Sequence, residues 1–96
     1  MTEMERARGV IDEVDGKMAE LFERRMDAVA AVAAYKREHG LQIFDPAREE
    51  QNIQTNTARI SNEAYRSYYV RFLRFLMDLS KSYQQELQAD PTADSE

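Results

Sequence analysis

Apolar residues follow helical spacing through the first part of the chain. They recur seven, four, seven and three residues apart, as on the face of a helix that packs against other helices. This stripe consists of Ile11, Met18, Phe22, Val29 and Val32. The pattern predicts one long helix over residues 4–39. Gly40 follows it and is predicted to end it in the left-handed conformation common at helix C-termini.

A short second helix is predicted after a brief connector. Asp45 followed by Pro46 is a strong helix start. The carboxylate can cap free backbone N–H groups, and proline fits the first helical turn. The predicted helix covers residues 46–60 and is polar apart from a thin apolar face.

The third predicted helix covers residues 63–88, with Ser61 or Asn62 as its cap. Its apolar stripe is the most aromatic part of the chain, and we expect it to form core. The stripe consists of Tyr65, Tyr69, Phe72, Leu76, Leu79, Tyr83 and Leu87, flanked by Leu73 and Phe75. Residues 90–96 are an acidic tail and are predicted to be disordered.

These elements predict an all-α fold in a single domain, residues 1–96, with one very long, one short and one long helix. A chain of 96 residues buries only a modest core. The long first helix would project beyond that core, so we expect the protein to be an oligomer.

Three cations share the apolar stripe of the first helix, namely Arg8, Arg25 and Lys36. Burying a cation without a partner costs several kcal/mol, so each should meet an anion. Structural ion pairs are one explanation, and Asp15 on the same stripe could form one of them. A single carboxylate cannot neutralise three cations, and a bound small anion is the alternative explanation.

Distances along the helix add a prediction about assembly. With a rise of about 1.5 Å per residue, Arg25 and Lys36 are roughly 17 Å apart, and their long side chains can reach one small ligand. Arg8 is roughly 25 Å from Arg25 and cannot reach that ligand within one chain. An antiparallel copy of the helix, crossing near Met18 and Phe22, could supply it. The spacing predicts a symmetric dimer with two shared anion sites.

Composition and charge exclude several classes of function. The net charge is −5, which disfavours binding to nucleic acid or to an anionic membrane surface. The chain contains no cysteine, so disulfides and thiolate chemistry are excluded. It also contains no long apolar run and no signal-peptide pattern, and we expect a cytoplasmic protein.

Most familiar catalytic groups are missing as well. The one histidine, His39, stands at a helix end and is better explained as a partner of the helix dipole than as a base. A zinc site, a nucleophilic dyad and a phosphate-binding loop are not predicted. What remains is a cationic, hydrogen-bonding pocket suited to a small polyanion. Its candidate residues are Arg8 of a partner chain, Arg25, Lys36, Arg48, Glu49, Ser80 and Gln84.

These residues, in this order on three helices, resemble the all-helical AroQ class of chorismate mutases, also called type II. The resemblance covers about residues 5–88. It is carried by Arg8 to Asp15, by Glu23-Arg24-Arg25 with Lys36, by Asp45 to Glu49, and by Ser80 with Gln84.

The resemblance implies an intertwined homodimer of six helices with two equivalent active sites. It implies an isomerase that converts chorismate to prephenate by a Claisen rearrangement, on the shikimate route to phenylalanine and tyrosine. This reaction is unimolecular, and the resemblance implies neither a cofactor nor a metal.

The resemblance also implies a role for each matching residue. Arg8 of the partner chain and Arg25, assisted by Ser80, would hold the two carboxylates of chorismate. Lys36 and Gln84 would be the catalytic donors to the ether oxygen. The ring hydroxyl would be bound by Glu49 and the backbone of Asp45, and Arg48 would complete the cationic wall.

Three alternatives stay open at this stage. Isochorismate pyruvate lyase and aminodeoxychorismate mutase have similar folds and pockets. A non-catalytic helical dimer that docks a protein partner is an alternative of another class. Many chorismate mutases are fused to prephenate dehydratase, prephenate dehydrogenase or the first enzyme of the shikimate route, so a fused or associated enzyme of this kind is a further expected partner.

Overall fold

The computed structural model describes residues 1–89, which form three helices: α1 (Glu3–Glu38), α2 (Pro46–Thr57) and α3 (Glu63–Gln88). No strand occurs within this range, which confirms the all-α class. The expected tail, residues 90–96, lies outside the described residues. Within residues 1–89, no helix combines the length and the apolar character needed to cross a membrane.

The helix boundaries follow from local capping. The Asp45 carboxylate accepts a hydrogen bond from the Arg48 backbone N–H at 3.0 Å, and Asn62 caps α3 by accepting from the Ala64 N–H. Gly40 has a φ of 64°, and the next N–H, that of Leu41, donates to the Lys36 carbonyl at 2.8 Å. This closure is a Schellman motif, and it confirms the predicted end of α1 at Gly40.

The end of α2 differs from the prediction, at Thr57 instead of residue 60. Beyond Thr57 the backbone tightens. The Arg59 N–H donates to the Asn56 carbonyl and the Ile60 N–H to the Thr57 carbonyl, each bond spanning three residues. Such tightening commonly ends an α-helix.

Helix α3 holds the fold together, because it packs against both other helices while α1 and α2 make no helix contact with each other among residues 1–89. Arg25 of α1 lies opposite Ser80 of α3, and Ala33 lies opposite Gln88, so the two helices run in the same direction. Helix α2 runs the opposite way, and α1 and α2 are left separated by a gap above α3.

The core is small, and its main cluster lies between α2 and α3, with Ala33 contributed by α1. Its buried apolar side chains are Ala33, Ile53, Leu73 and Met77, with Tyr69 and Val70 packed against it. The expected core stripe of α3 is therefore misplaced in the single chain. Four of its seven members are exposed, namely Tyr65, Phe72, Leu79 and Leu87. The α3 face that meets α1 and α2 is the adjacent one, and nothing within residues 1–89 covers the aromatic face.

The first half of α1 is also uncovered. Every side chain from residue 1 to residue 24 is exposed, and the molecule is 59 Å long as a result. In the single chain, the prediction that the α1 stripe is buried fails for Ile11, Met18, Phe22 and Val32, while Val29 is half-buried. No helix among the described residues lies against the stripe at this end.

Candidate active site

A cleft of about 310 Å³ occupies the gap between α1 and α2, with α3 as its floor. Each helix contributes side chains three or four residues apart, so one face of each helix lines the cleft. The polar and charged lining residues are Arg25, Lys36, Asp45, Arg48, Glu49, Asn52, Ser80, Lys81 and Gln84. The apolar ones are Ala28, Val29, Val32, Ile43 and Met77.

The wall formed by α1 places two cations at opposite ends of the cleft. Arg25 Nη1 donates a hydrogen bond to Ser80 Oγ at 2.5 Å, and this hydroxyl in turn donates to the Leu76 carbonyl at 2.9 Å. Lys36 Nζ donates to the Ile43 carbonyl at 2.8 Å. Both cations are therefore held by neutral oxygens, and their charge is not cancelled by these contacts.

The wall formed by α2 begins at its N-cap. The Asp45 carboxylate accepts a hydrogen bond from the Arg48 N–H, and the Asp45 backbone carbonyl accepts one from the Glu49 N–H at 3.0 Å. Arg48 and Glu49 face the cleft from the first turn, and Asn52 follows from the next turn. Because the Asp45 carboxylate already caps this helix N-terminus, this end of the cleft presents the oxygen acceptors of Asp45 and Glu49 beside the Arg48 guanidinium.

The floor contains a residue that the sequence analysis missed. Lys81 Nζ lies 3.0 Å from Glu49 Oε2 and 3.4 Å from Asp78 Oδ1. The hydrogen bond to Glu49 is the main cause that raises the pKa of Lys81 above its usual 10.5, partial burial opposes it, and Asp78 adds to the rise. The sequence position of Lys81 could have identified it as a cleft residue, because it adjoins Ser80 and precedes Gln84 by three residues on the same helix face.

Two amide oxygens in the cleft are buried without a hydrogen-bond partner among the described residues, Asn52 Oδ1 and Gln84 Oε1. Gln84 is 6% exposed. An unsatisfied buried polar atom costs about 1–3 kcal/mol. These amide oxygens therefore make no hydrogen bond within residues 1–89 and remain available to a polar ligand. Asn52 was also missed from sequence, although it lies one turn beyond Arg48.

The cleft is cationic although the whole chain is acidic. Four cations and two carboxylates line it, whereas the chain carries a net charge of −5. Lys81 is paired with Glu49, but Arg25, Lys36 and Arg48 have no carboxylate within ion-pair distance in the part of the chain that is described. No group of acidic or histidine side chains there could hold a metal ion. Charge and donors together suit a small polyanion.

Of the eight residues predicted from sequence, the cleft brings together all except Arg8. Arg8 is exposed on the projecting half of α1, and Asp15 forms no ion pair with it or with the other two stripe cations among residues 1–89. The explanation by structural ion pairs with Asp15 is therefore wrong for the single chain. That Arg8 serves a partner's cleft stays a prediction.

Comparison with known proteins gives two matches. The sequence model of the chorismate mutase type II family matches residues 7–85. The T-protein of Haemophilus influenzae is 32% identical over 72 residues, which are 70% of this chain and 19% of that protein. The chain thus spans about a fifth of the length of this curated relative. No solved structure matches the chain.

Proposed function

This chain belongs to the chorismate mutase type II family, and we infer from that membership and from the cleft that it converts chorismate to prephenate. We further propose that residues 1–96 form one mutase domain and that two such domains form a homodimer. The observation that carries the proposal is the cationic cleft, with hydrogen-bond donors from all three helices and room for one small molecule.

The two carboxylates of chorismate are assigned to arginine side chains. Arg25, oriented by its hydrogen bond to Ser80, is proposed to bind one of them. An arginine held in place loses less freedom on binding a carboxylate and can form two parallel hydrogen bonds. Arg48 adds positive charge from the α2 wall, and Arg8 of the partner chain is proposed to bind the second carboxylate.

The ether oxygen of chorismate gains negative charge as its C–O bond breaks. Lys36 is proposed to donate to this oxygen through another of its three ammonium N–H groups, while the bond to the Ile43 carbonyl holds it in place. Gln84 is proposed as the second donor, because it lines the cleft, is buried there and carries an NH₂ group. Donors fixed before the reaction stabilise the transition state more than the ground state.

The ring hydroxyl of chorismate is assigned to the end of the cleft nearest the α2 N-terminus. Glu49 offers a carboxylate oxygen there, since only its Oε2 is described as paired with Lys81. The Asp45 carbonyl adjoins the same end and has a second lone pair beside the one used by Glu49 N–H. The hydroxyl would thus be oriented by two acceptors.

These contacts suffice for a rearrangement that passes through one compact, chair-like conformer. The bond that breaks, C–O, and the bond that forms, C–C, belong to one molecule, and no proton has to move. Holding this conformer and stabilising the developing charge are then the two catalytic tasks. The shape of the cleft and the placement of Lys36 and Gln84 serve these tasks.

The projecting half of α1 supports the homodimer. Its apolar side chains, among them Ile11, Met18 and Phe22, are 55%, 46% and 41% exposed in the single chain. An apolar face of this size on a small domain marks an association surface. A second α1 crossing there in the opposite direction would cover it and bring its Arg8 toward the open side of the cleft.

The test is chorismate consumption followed by ultraviolet absorbance, with the product identified by chromatography. We expect prephenate from the wild-type protein. Arg25→Ala should lose almost all activity, because it removes a carboxylate ligand. Arg24→Ala is the matched control, since Arg24 is exposed, precedes Arg25 and does not line the cleft; it should retain activity.

The other outcomes separate the alternatives. Pyruvate released from isochorismate, with chorismate left intact, would assign the lyase reaction instead. A folded dimer that turns over neither compound would contradict the mutase proposal and favour a non-catalytic role.

A further inference from the structure

The ion pair between Lys81 and Glu49 lies inside the cleft, at the end assigned to the ring hydroxyl. Lys81 Nζ and Glu49 Oε2 are 3.0 Å apart, and both side chains are about three-quarters covered, with 25% and 24% exposed. The pair joins the α3 floor to the α2 wall. Unlike the other ion pairs within residues 1–89, it connects two helices, and both of its members line the cleft.

Two further contacts hold the Lys81 ammonium at this place. Asp78, one turn earlier on α3, lies 3.4 Å from Nζ, and the Phe44 ring centroid lies 4.7 Å from it. The face of an aromatic ring attracts a cation. Lys81 is therefore restrained from three sides and keeps a positive charge beside Glu49.

This arrangement changes what Glu49 can bind. A free carboxylate attracts an ammonium group more strongly than a neutral hydroxyl. A carboxylate that already carries a cation can still accept a hydrogen bond from a hydroxyl through its other oxygen. A second ammonium on the ligand would meet the repulsion of Lys81 at short range.

We propose that Lys81 is a specificity-determining residue: paired with Glu49, it makes this end of the cleft accept a neutral hydroxyl and reject an ammonium group in the same position. The inference rests on the proposed function, because it assumes that Glu49 faces the ring hydroxyl. It names the substrate class as hydroxyl-bearing chorismate, and it disfavours aminodeoxychorismate, which carries an amine in place of that hydroxyl.

The experiment compares these two compounds. Chorismate turnover gives KM and kcat, and aminodeoxychorismate is added as a competitor, so that its inhibition constant is obtained even when it is not rearranged. Selectivity is the ratio of this inhibition constant to the KM of chorismate. The variants are Lys81→Met, which keeps the length and removes the charge, and Lys81→Arg, which keeps the charge.

Lys81→Met is expected to lower the selectivity about tenfold, the ratio that a change of about 1.4 kcal/mol produces. Lys81→Arg should retain most of the wild-type selectivity. Lys17→Met is the matched control, because Lys17 also pairs with a glutamate, Glu13 at 3.3 Å, but on the exposed face of α1. It should leave the selectivity unchanged.

A structural role of Lys81 would affect both compounds equally. An unchanged selectivity in a folded Lys81→Met variant would therefore overturn the inference, and so would an equal loss of selectivity in Lys81→Arg. Should Lys81→Met fail to fold in a circular-dichroism melt, Lys81→Gln provides the same comparison with a polar side chain. Absence of chorismate turnover by the wild type would instead overturn the proposed function.

Discussion

Lys36 makes two contacts through two different groups. Its backbone carbonyl accepts the Leu41 N–H in the closure of α1, whereas its ammonium donates to the Ile43 carbonyl at the edge of the cleft. A substitution of the side chain leaves the first contact in place. The proposed catalytic role of the side chain can therefore be tested by mutation without removing the backbone contact.

Lys36→Ala is expected to lower kcat about 100- to 1,000-fold, the usual effect of removing one preorganised donor to a developing negative charge. Its thermal melt, followed by circular dichroism, should stay close to that of the wild type, because the backbone contacts remain. Steady-state kinetics with chorismate measure the first expectation.

Lys17→Ala is the control for Lys36→Ala, since it also removes an ammonium group from α1 but outside the cleft. Full activity of Lys36→Ala would contradict the assignment of Lys36 to the ether oxygen. A large loss of melting temperature would show that the residue mainly supports the fold.

For the helices, the ends could be predicted from the sequence, whereas the faces that become buried could not. Asp45, Gly40 and Asn62 act through bonds to residues two to five positions away, so the local sequence specifies these caps. The buried face of α3 depends on where α1 and α2 approach it. Two neighbouring apolar stripes on α3 could each have served, and the structure buries the one with Leu73 and Met77.

In the cleft, too, features set by local sequence could be predicted and features set by packing between helices could not. Seven predicted residues lie in it because helical spacing fixes which residues share a face. Lys81 was missed because its partner Glu49 is on another helix, 32 positions earlier in the sequence. Only the packing of α2 on α3 brings the two together.

The contribution of the α1 closure to stability can be tested at Gly40. Gly40 has a positive φ, and a Cβ at this position would meet no atom within 4 Å beyond its two chain neighbours, so the effect of substitution arises from the local backbone conformation and not from packing. Gly40→Val is expected to lower the free energy of unfolding by roughly 1–2 kcal/mol, because β-branched residues disfavour this conformation. Thermal and urea unfolding measure this change.

Gly40→Asn is the comparison for Gly40→Val, since asparagine tolerates the left-handed conformation better than other residues. It should be the less destabilised of the two. Equal stability of both variants and the wild type would indicate that α1 does not depend on this closure.

At the scale of the whole molecule, the single chain is incomplete in two respects. Half of α1 and the aromatic face of α3 are uncovered, and the cleft contains seven of the eight predicted residues. The proposed symmetric pairing of two chains would account for both, because a two-fold crossing of α1 would cover apolar surface and carry each Arg8 to the other chain. In such a dimer, each cleft would be formed by residues of both chains.

Complementation between Arg8→Ala and Arg25→Ala tests whether each cleft is shared between two chains. Each variant alone should be nearly inactive, since every cleft in its homodimer lacks one arginine. After unfolding and refolding the two as a mixture, half of the dimers should be mixed, and each mixed dimer should contain one intact cleft. Activity should then recover to about a quarter of the wild-type value, as the symmetry of a shared site requires. No recovery, with mixed dimers demonstrated by mass spectrometry, would contradict the shared site and confine each cleft to a single chain.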